Sequence, residues 1–138
     1  MDGSDVTVLV SGLQYAMGIV VDYDSSRLYW AGHTTSRIQS SNTAGGDVRT
    51  VVQLPASTGP WGLTLHGNKL YWGNELAKSL QSSSKTGENV RTLYTAPNSI
   101  FHLTMTTRNL TRTRRNDCEG QACSGICVLT GMTFRCLG

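Results

Sequence analysis

The sequence lacks the patterns that indicate helical or membrane-spanning proteins. No stretch places apolar residues at helical spacing over a useful length, which argues against a helical fold. No apolar segment for secretion follows Met1, and no later run is long enough to span a bilayer. These absences agree with a piece of a longer chain, with any leader or anchor elsewhere in the parent protein.

Residue patterns for catalysis or cofactor binding are also missing. The three histidines, His33, His66 and His102, are scattered along the chain. None stands at a metal-ligand spacing or beside a recognisable nucleophile motif. The pattern predicts a protein that is not an enzyme and that holds neither a metal nor a cofactor.

Cysteine is absent from most of the chain and then concentrated in one short stretch. All four cysteines fall at the C-terminal end, at Cys118, Cys123, Cys127 and Cys136. An even set in a short segment is typical of a disulfide framework, and hence of an oxidising compartment. Zinc is the alternative, but the wide gap after Cys127 leaves no second close pair of ligands. Four cysteines allow three connectivities, which spacing does not distinguish.

What the chain does contain is a repeat with a period of 42 residues. Gly45–Thr50 recurs as Gly87–Thr92, and the motif Leu28–Trp30 recurs as Leu70–Trp72. Gly3–Val6 is a third, shorter copy of the first motif. A period of about 40 to 45 residues built from short strands is typical of a β-propeller blade.

Each repeat reads as four short strands separated by turn residues. Val6–Val10 matches a fourth strand alone, and Phe101–Met105 begins a further blade. Because successive side chains of a strand point to opposite faces, Leu28 and Trp30 cover one side of the blade and Tyr29 the other. The third strands are rich in polar residues, and we expect higher exposure there. The predicted strands, in order through the two copies, are Gly18–Asp22, Arg27–Ala31, Arg37–Ser41, Arg49–Leu54, Gly62–His66, Lys69–Gly73, Lys78–Ser82 and Arg91–Tyr94.

The chain is too short for a closed ring, since a propeller needs at least four blades. The fold class is therefore all-β, an incomplete β-propeller with about two full four-stranded blades plus partial ones. We place the blades in residues 1–107, a basic linker in 108–117 and a small disulfide-rich module in 118–138.

These motifs resemble the Tyr-Trp-Thr-Asp propellers of the LDL receptor and the LDL-receptor-related proteins. The resemblance is carried by Gly18–Tyr23 leading to Leu28–Trp30, by Pro60–Thr64 leading to Leu70–Trp72, and by the cysteines after Cys118. It implies an extracellular six-bladed propeller followed by an EGF-like module.

The sequence departs from the family where Thr-Asp should follow Tyr-Trp. It has Ala31-Gly32 in one copy and Gly73-Asn74 in the other. In the family this Asp ties blades together by hydrogen bonds, so the departure puts that cohesion in question. Ordinary drift between repeats is the alternative explanation.

For the cysteines, the resemblance implies the EGF-like pairing of Cys118 with Cys127 and of Cys123 with Cys136. The family continues with a further Cys-x-Cys, which this sequence does not contain, so we expect a truncated module. The acidic pattern of calcium-binding EGF modules is present only as the fragment Arg115–Asp117, and we expect no calcium site.

The resemblance also implies a ligand-binding face on the loops that enter the first strands. Tyr15, Trp61 and Phe101 stand there, and aromatic side chains are suited to interface hot spots. Packing between blades is the alternative role, particularly for Trp61. His66 and His102 are candidates for a pH switch, because imidazole changes charge between neutral and endosomal pH.

The linker is basic and carries two candidate processing motifs. Arg112–Arg115 has the Arg-x-Arg-Arg form cut by proprotein convertases, and Asn109 begins a glycosylation motif. An exposed linker without function is the alternative. Nucleic acid is not an expected partner, since no aromatic residues interleave with the arginines. The cluster could attract heparan sulfate through Arg108, Arg112, Arg114 and Arg115.

The sequence thus predicts a non-catalytic extracellular part of an LDL-receptor-related cell-surface receptor. It would bind protein ligands in endocytosis or signalling, and its parent chain would be membrane-anchored. Two alternatives stay open, a structural propeller-EGF spacer in a nidogen-like matrix protein and an intracellular Trp-Asp repeat scaffold.

Overall fold

The computed structural model describes the backbone of residues 2–105, 126–130 and 133–137, and the side chains of residues 2–103. Two four-stranded antiparallel sheets follow one another along the chain, each in the order of its sequence. The first, blade 1, comprises β1 (Ala16–Asp22), β2 (Arg27–Gly32), β3 (Arg37–Asn42) and β4 (Arg49–Gln53). The second, blade 2, comprises β5 (Pro60–His66), β6 (Lys69–Asn74), β7 (Ser79–Ser84) and β8 (Arg91–Thr95). This all-β architecture confirms the predicted fold class.

A third, three-stranded sheet begins with β9 (Ile100–Met105) and continues with β10 (Ile126–Thr130) and β11 (Thr133–Leu137). Strand β10 pairs antiparallel with both β9 and β11. Cys127 and Cys136 are direct partners across the β10–β11 hairpin.

The tryptophan and the tyrosine of each second strand point to opposite faces of the blade, which are here called the tryptophan face and the tyrosine face. In blade 2 the tryptophan face carries Leu63, Leu65, Leu70 and Trp72, as the strand pairing requires. The tyrosine face of blade 1 carries Tyr29, Ala31, Ile38 and Val52. Members of both faces form one buried hydrophobic cluster, so the tryptophan face of blade 2 covers the tyrosine face of blade 1.

The same contact is repeated one step further along the chain. On the tyrosine face of blade 2, Leu80 forms a second buried cluster with Ile100 and Leu103 of β9. At the other end of the row, the tryptophan face of blade 1 is partly open: Ile19 is 69% exposed, whereas Trp30 is 3% exposed. The blades thus stack in one direction, and each tryptophan face is built to cover the blade before it.

Glycines on the innermost strands let neighbouring blades approach closely. A Cβ atom on Gly18 of β1 would lie 2.5 Å from the carbonyl oxygen of Trp61. A Cβ atom on Gly62 of β5 would lie 2.9 Å from the carbonyl oxygen of Phe101. Both contacts are with the backbone of the next blade, which cannot move aside as a flexible side chain could.

The residues before β1 occupy the place of a preceding outer strand without forming one. Val6–Val10 forms no strand, because an outer strand pairs with the third strand of its own blade and no described strand stands beside it. Its position nevertheless repeats: Gly45 closely approaches the carbonyl oxygen of Leu9, as Gly87 approaches that of Val51 in β4. The sequence match with a fourth strand therefore reflects a shared location rather than a shared hydrogen-bond pattern.

The expectation that the third strands are the exposed ones is wrong. Ser40, Ser41, Ser82 and Ser83 are all buried. The reason is that β3 and β7 lie between two other strands of their blade, so the small serine side chains are enclosed within the stack. The more exposed positions fall on the outer strands β4 and β8.

The end of the blades that carries the β1–β2 and β3–β4 turns, and the β5–β6 and β7–β8 turns of blade 2, is here called the lower end. An ion pair joins blades 1 and 2 there. The Nζ atom of Lys85 lies 2.6 Å from Oδ2 of Asp22, whose side chain is only 4% exposed. The Lys85 ammonium and then the Ser25 hydroxyl lower the pKa of Asp22 below its ordinary value of 3.8. At the family's Thr-Asp position, Asn74 instead donates hydrogen bonds within its own blade, to Ser79 and Gln81.

We predict that Gly62→Ala lowers the free energy of unfolding by about 1–3 kcal/mol, because the added methyl group forces the backbones of β5 and β9 apart. Urea denaturation measures the change. The matched control is Gly67→Asn, since a Cβ there meets open space and asparagine tolerates its positive φ of 57°. Equal stability of the Gly62 variant and the wild type would contradict the close approach of these strands.

We predict that Asp22→Asn lowers stability at pH 7 by about 1–3 kcal/mol, because a charge-assisted hydrogen bond is lost and Lys85 is left unpaired. A carboxyl group whose pKa is depressed on folding stabilises above its ordinary pKa and loses that contribution as the pH falls through the folded value. The gap between wild type and variant should therefore close below pH 3.8. Denaturation at a series of pH values measures it, with the exposed Asp5→Asn as control. A gap that persists in acid would contradict the account.

Candidate ligand-binding surface

The upper end of the blades, opposite the lower end, is formed by residues 54–59 and by the turns at 33–36 and 75–78. Equivalent hydrogen bonds organise it in both blades. The backbone N–H of His33 donates to the carbonyl oxygen of Tyr15 at 3.0 Å, and that of Glu75 donates to Gly59 at 2.8 Å. The chain that enters each first strand is thereby fixed against the second turn of the same blade.

Three rings form a continuous edge-to-face row across this end. Trp61 near the start of β5 lies between His33 of blade 1 and Phe101 of β9. The ring centroids are 5.4 Å and 5.3 Å apart, and both pairs cross at 85°. Edge-to-face pairs of this kind contribute beyond their buried area and hold the rings in fixed orientations.

A hydrogen-bonding contact joins this row to the neighbouring turn. Nε2 of His33 lies 2.6 Å from Oε2 of Glu75, and their side chains are 21% and 24% exposed. A Cβ atom on Gly59 would lie 3.0 Å from the same His33 nitrogen and 2.8 Å from Cγ of Leu76. The absence of a side chain at Gly59 is therefore what leaves room for His33 and Leu76.

Tyr15 stands at the margin of this cluster in a strained backbone conformation. Its φ is +49°, in the left-handed region that bulky residues rarely adopt, whereas the equivalent position in blade 2 is Gly59 with a φ of +64°. The Tyr15 side chain is 74% exposed and so gains little from packing. Strain of this kind is found preferentially at functional sites.

The structure brings together most of the contact residues expected from the sequence. Trp61 and Phe101 touch, Phe101 is 41% exposed, and Tyr15 lies at the same end. Trp61 is partly buried, which fits a role both in packing between blades and at the surface. The two proposed pH-switch residues lie elsewhere: His66 is exposed at the lower end opposite Lys69, and His102 is exposed on β9.

Sequence reasoning missed His33 and Glu75. The available signal was the repeat itself, because these two residues are 42 positions apart and thus occupy equivalent turns of adjacent blades. Equivalent turns of stacked blades are neighbours in space. A basic and an acidic residue at that spacing therefore predict a contact.

Several sequence-based expectations concern residues outside the described part of the structure. They are the two cysteines Cys118 and Cys123, the glycosylation motif at Asn109, and the basic residues Arg108, Arg112, Arg114 and Arg115. For Cys127 and Cys136 only the backbone is described.

Within residues 2–103, no three His, Cys, Asp or Glu side chains lie close enough together to hold a metal ion. No helix that could cross a membrane occurs among the described residues. The surface at the upper end offers apolar ring edges, the hydrogen-bonded His33 and Glu75, and one exposed phenol. These groups are suited to binding another molecule by packing and hydrogen bonding.

We predict that Tyr15→Gly raises the free energy of unfolding by about 0.5–1 kcal/mol. Relief of the left-handed strain is worth about 1–2 kcal/mol, and the greater freedom of glycine in the unfolded chain offsets about half of it. Thermal and urea denaturation measure the change, with Tyr15→Phe as a control that keeps both the ring and the strain. Destabilisation by the glycine would show that the Tyr15 ring is a packing residue.

No protein-family model matches this chain. Solved structures with similar folds include a nidogen/laminin complex, with a TM-score of 0.63 and 16% identity over 68% of this chain and 36% of that one. A gluconolactonase from Xanthomonas campestris has a TM-score of 0.65 and 15% identity over 90% of this chain and 37% of that one. A virginiamycin B lyase from Staphylococcus aureus has a TM-score of 0.58 and 18% identity over 87% and 40%.

The chain therefore spans well under half the length of each of these structures. At such low identities the similarity concerns the fold alone, and that fold is the β-propeller. The chain is a set of propeller blades.

Proposed function

We propose that this chain is an extracellular part of a receptor related to the LDL receptor, and that its upper end binds protein ligands without catalysing a reaction. The observation that carries the proposal is the ring row of His33, Trp61 and Phe101, flanked by the exposed Tyr15. Interface hot spots combine fixed aromatic anchors with a polar margin that excludes water.

The arrangement supplies both parts of such an interface. Phe101 and Leu76 are 41% and 52% exposed, so apolar surface is available beside the ring row. The His33–Glu75 pair provides polar groups beside it. Because the rings already hold one another at right angles, little side-chain entropy is lost when a partner covers them.

The extracellular location, the membrane-anchored parent and the EGF-like module with its two disulfides rest on the sequence resemblance, and they are part of the proposal. Use of Asn109 for glycosylation, the attraction of heparan sulfate to Arg108–Arg115, and a pH-switch role for His66 and His102 are further proposals of the same origin. One of the compared structures is a complex of nidogen with laminin, which supports a binding role, whereas two others are named as enzymes.

Two exposed tyrosines at opposite ends allow a matched test. The photoreactive residue p-benzoylphenylalanine replaces Tyr15 at the upper end or Tyr23, which is 86% exposed at the lower end. Illumination in serum or conditioned medium should yield covalent adducts with extracellular proteins from position 15 and not from position 23. Adducts should decrease roughly tenfold when Phe101 is also changed to alanine, because a hot-spot side chain contributes 1.4 kcal/mol or more to binding.

Unfolding curves of each variant establish that the blades remain folded. Equal adducts from both positions, or no adducts from position 15, would contradict binding at the upper end. Hydrolysis of glucono-δ-lactone above the uncatalysed rate would contradict the proposal that the chain is not an enzyme.

A further inference from the structure

At equivalent positions of the lower end, the two blades carry different sets of charged side chains. In blade 1 the carboxylate of Asp47 lies between two arginines. Nη1 of Arg27 at the start of β2 is 2.9 Å from Oδ2, and Nη2 of Arg49 at the start of β4 is 2.8 Å from the same oxygen. Arg49 and then Arg27 hold the pKa of Asp47 below its ordinary value, so the carboxylate is charged at neutral pH.

Blade 2 keeps the two cations of this arrangement and lacks the anion. Lys69 stands where blade 1 has Arg27, Arg91 stands where it has Arg49, and Asn89 replaces Asp47. The backbone is the same, since the φ angles of Asp47 and Asn89 are 51° and 55°. The difference is therefore one of charge, at a position where the geometry is preserved.

No acidic side chain of residues 2–103 forms an ion pair with Lys69 or Arg91. Glu88, next to Asn89 in the turn, is exposed, and it bonds Ser84 through its backbone alone. Its N–H donates to the Ser84 hydroxyl, and its carbonyl oxygen accepts from the Ser84 N–H. The other acid of this region is also replaced, because His66 stands where blade 1 has Asp22.

A cavity of about 180 Å³ lies at this point of blade 2. The residues that line it carry cationic, hydroxyl and amide groups, and their aliphatic parts also contribute; they are Lys69, Ser82, Ser83, Ser84, Asn89 and Arg91. In blade 1 the hydroxyl equivalent to Ser82, that of Ser40, accepts a hydrogen bond from Arg27 at 2.9 Å. A water molecule takes up about 30 Å³ in the liquid, so the cavity has room for a carboxylate and the carbon that bears it.

We propose that this cavity binds a carboxylate group supplied by another molecule. The bound carboxylate lies beside Asn89 and supplies the negative charge that Asp47 supplies in blade 1. Lys69 and Arg91 supply the charge that attracts it and donate charge-assisted hydrogen bonds, and the side-chain amide of Asn89 adds a neutral donor. The source is an acidic side chain of a protein or a small free dicarboxylate. The site lies at the opposite end from the aromatic cluster, so the proposed carboxylate binding does not depend on the proposed function.

The test uses three probes: an acetylated, amidated Asp-Glu-Asp-Glu peptide, its Asn-Gln-Asn-Gln counterpart, and free succinate. Backbone amide shifts of Ser83 and Asn89 in 1H–15N NMR spectra report binding. We expect the acidic peptide to shift them, salt to weaken the effect, and the neutral peptide to leave them unchanged. Tighter binding of the peptide than of succinate identifies a protein side chain as the source, and the reverse order identifies a free dicarboxylate.

The decisive variant is Asn89→Asp, which gives blade 2 the carboxylate that blade 1 already has. It should fold normally, because Asp47 adopts the same backbone in the same turn, and it should weaken binding of the acidic peptide roughly tenfold or more. The reciprocal Asp47→Asn should create a second responding site at Ser41 and Asn42. Glu88→Gln, which changes the charge of the same turn in the opposite direction, is the control, and it should not weaken binding.

Unchanged affinity of the Asn89→Asp protein would overturn the proposal, as would equal binding of the neutral peptide. The absence of any shift with both acidic probes would do the same.

Discussion

The structure depends on the contact in which the tryptophan face of one blade covers the tyrosine face of the blade before it. An isolated four-stranded sheet of this composition would leave large apolar side chains on both sides in water, at a cost of about 25 cal/mol per Å². Stacking buries Tyr29 and Trp72 in one cluster and then repeats the contact between blade 2 and β9. The inner-strand glycines Gly18 and Gly62 set how closely the blades approach.

This stacking also explains why sites arise at the ends of the blades. Equivalent turns of adjacent blades become neighbours, so residues one period apart, such as His33 and Glu75, meet at the upper end. The strand framework is kept in both repeats, while end residues are free to differ. Replacement of Asp47 by Asn89 at the lower end changes the charge of a turn without changing its backbone. If the proposed carboxylate site is correct, a single substitution on a fixed scaffold is enough to change what this end of a blade binds.

The repeat made most of the fold predictable from the sequence. The period, the hairpins and the opposite facing of Tyr29 and Trp30 follow from local alternation and turn residues. The burial of Ser40 and Ser82 could not be predicted from the sequence. Polar residues were taken as a sign of exposure, whereas the enclosure of small side chains between blades depends on tertiary packing. For the candidate site, the resemblance pointed to Trp61 and Phe101, and their contact with each other agrees with that prediction without testing it. The His33–Glu75 pair required comparison between repeats.

The most direct test of the stacked arrangement is a set of nuclear Overhauser effects across the inner strands. The account predicts contacts from an Hα of Gly18 to the amide proton of Leu63, and from an Hα of Gly62 to that of Leu103, because these backbones nearly touch. Within blade 2, cross-strand contacts between Leu63 and Trp72 serve as the internal reference. If the reference contacts were observed and the two contacts between blades were not, each sheet would fold but the blades would not stack.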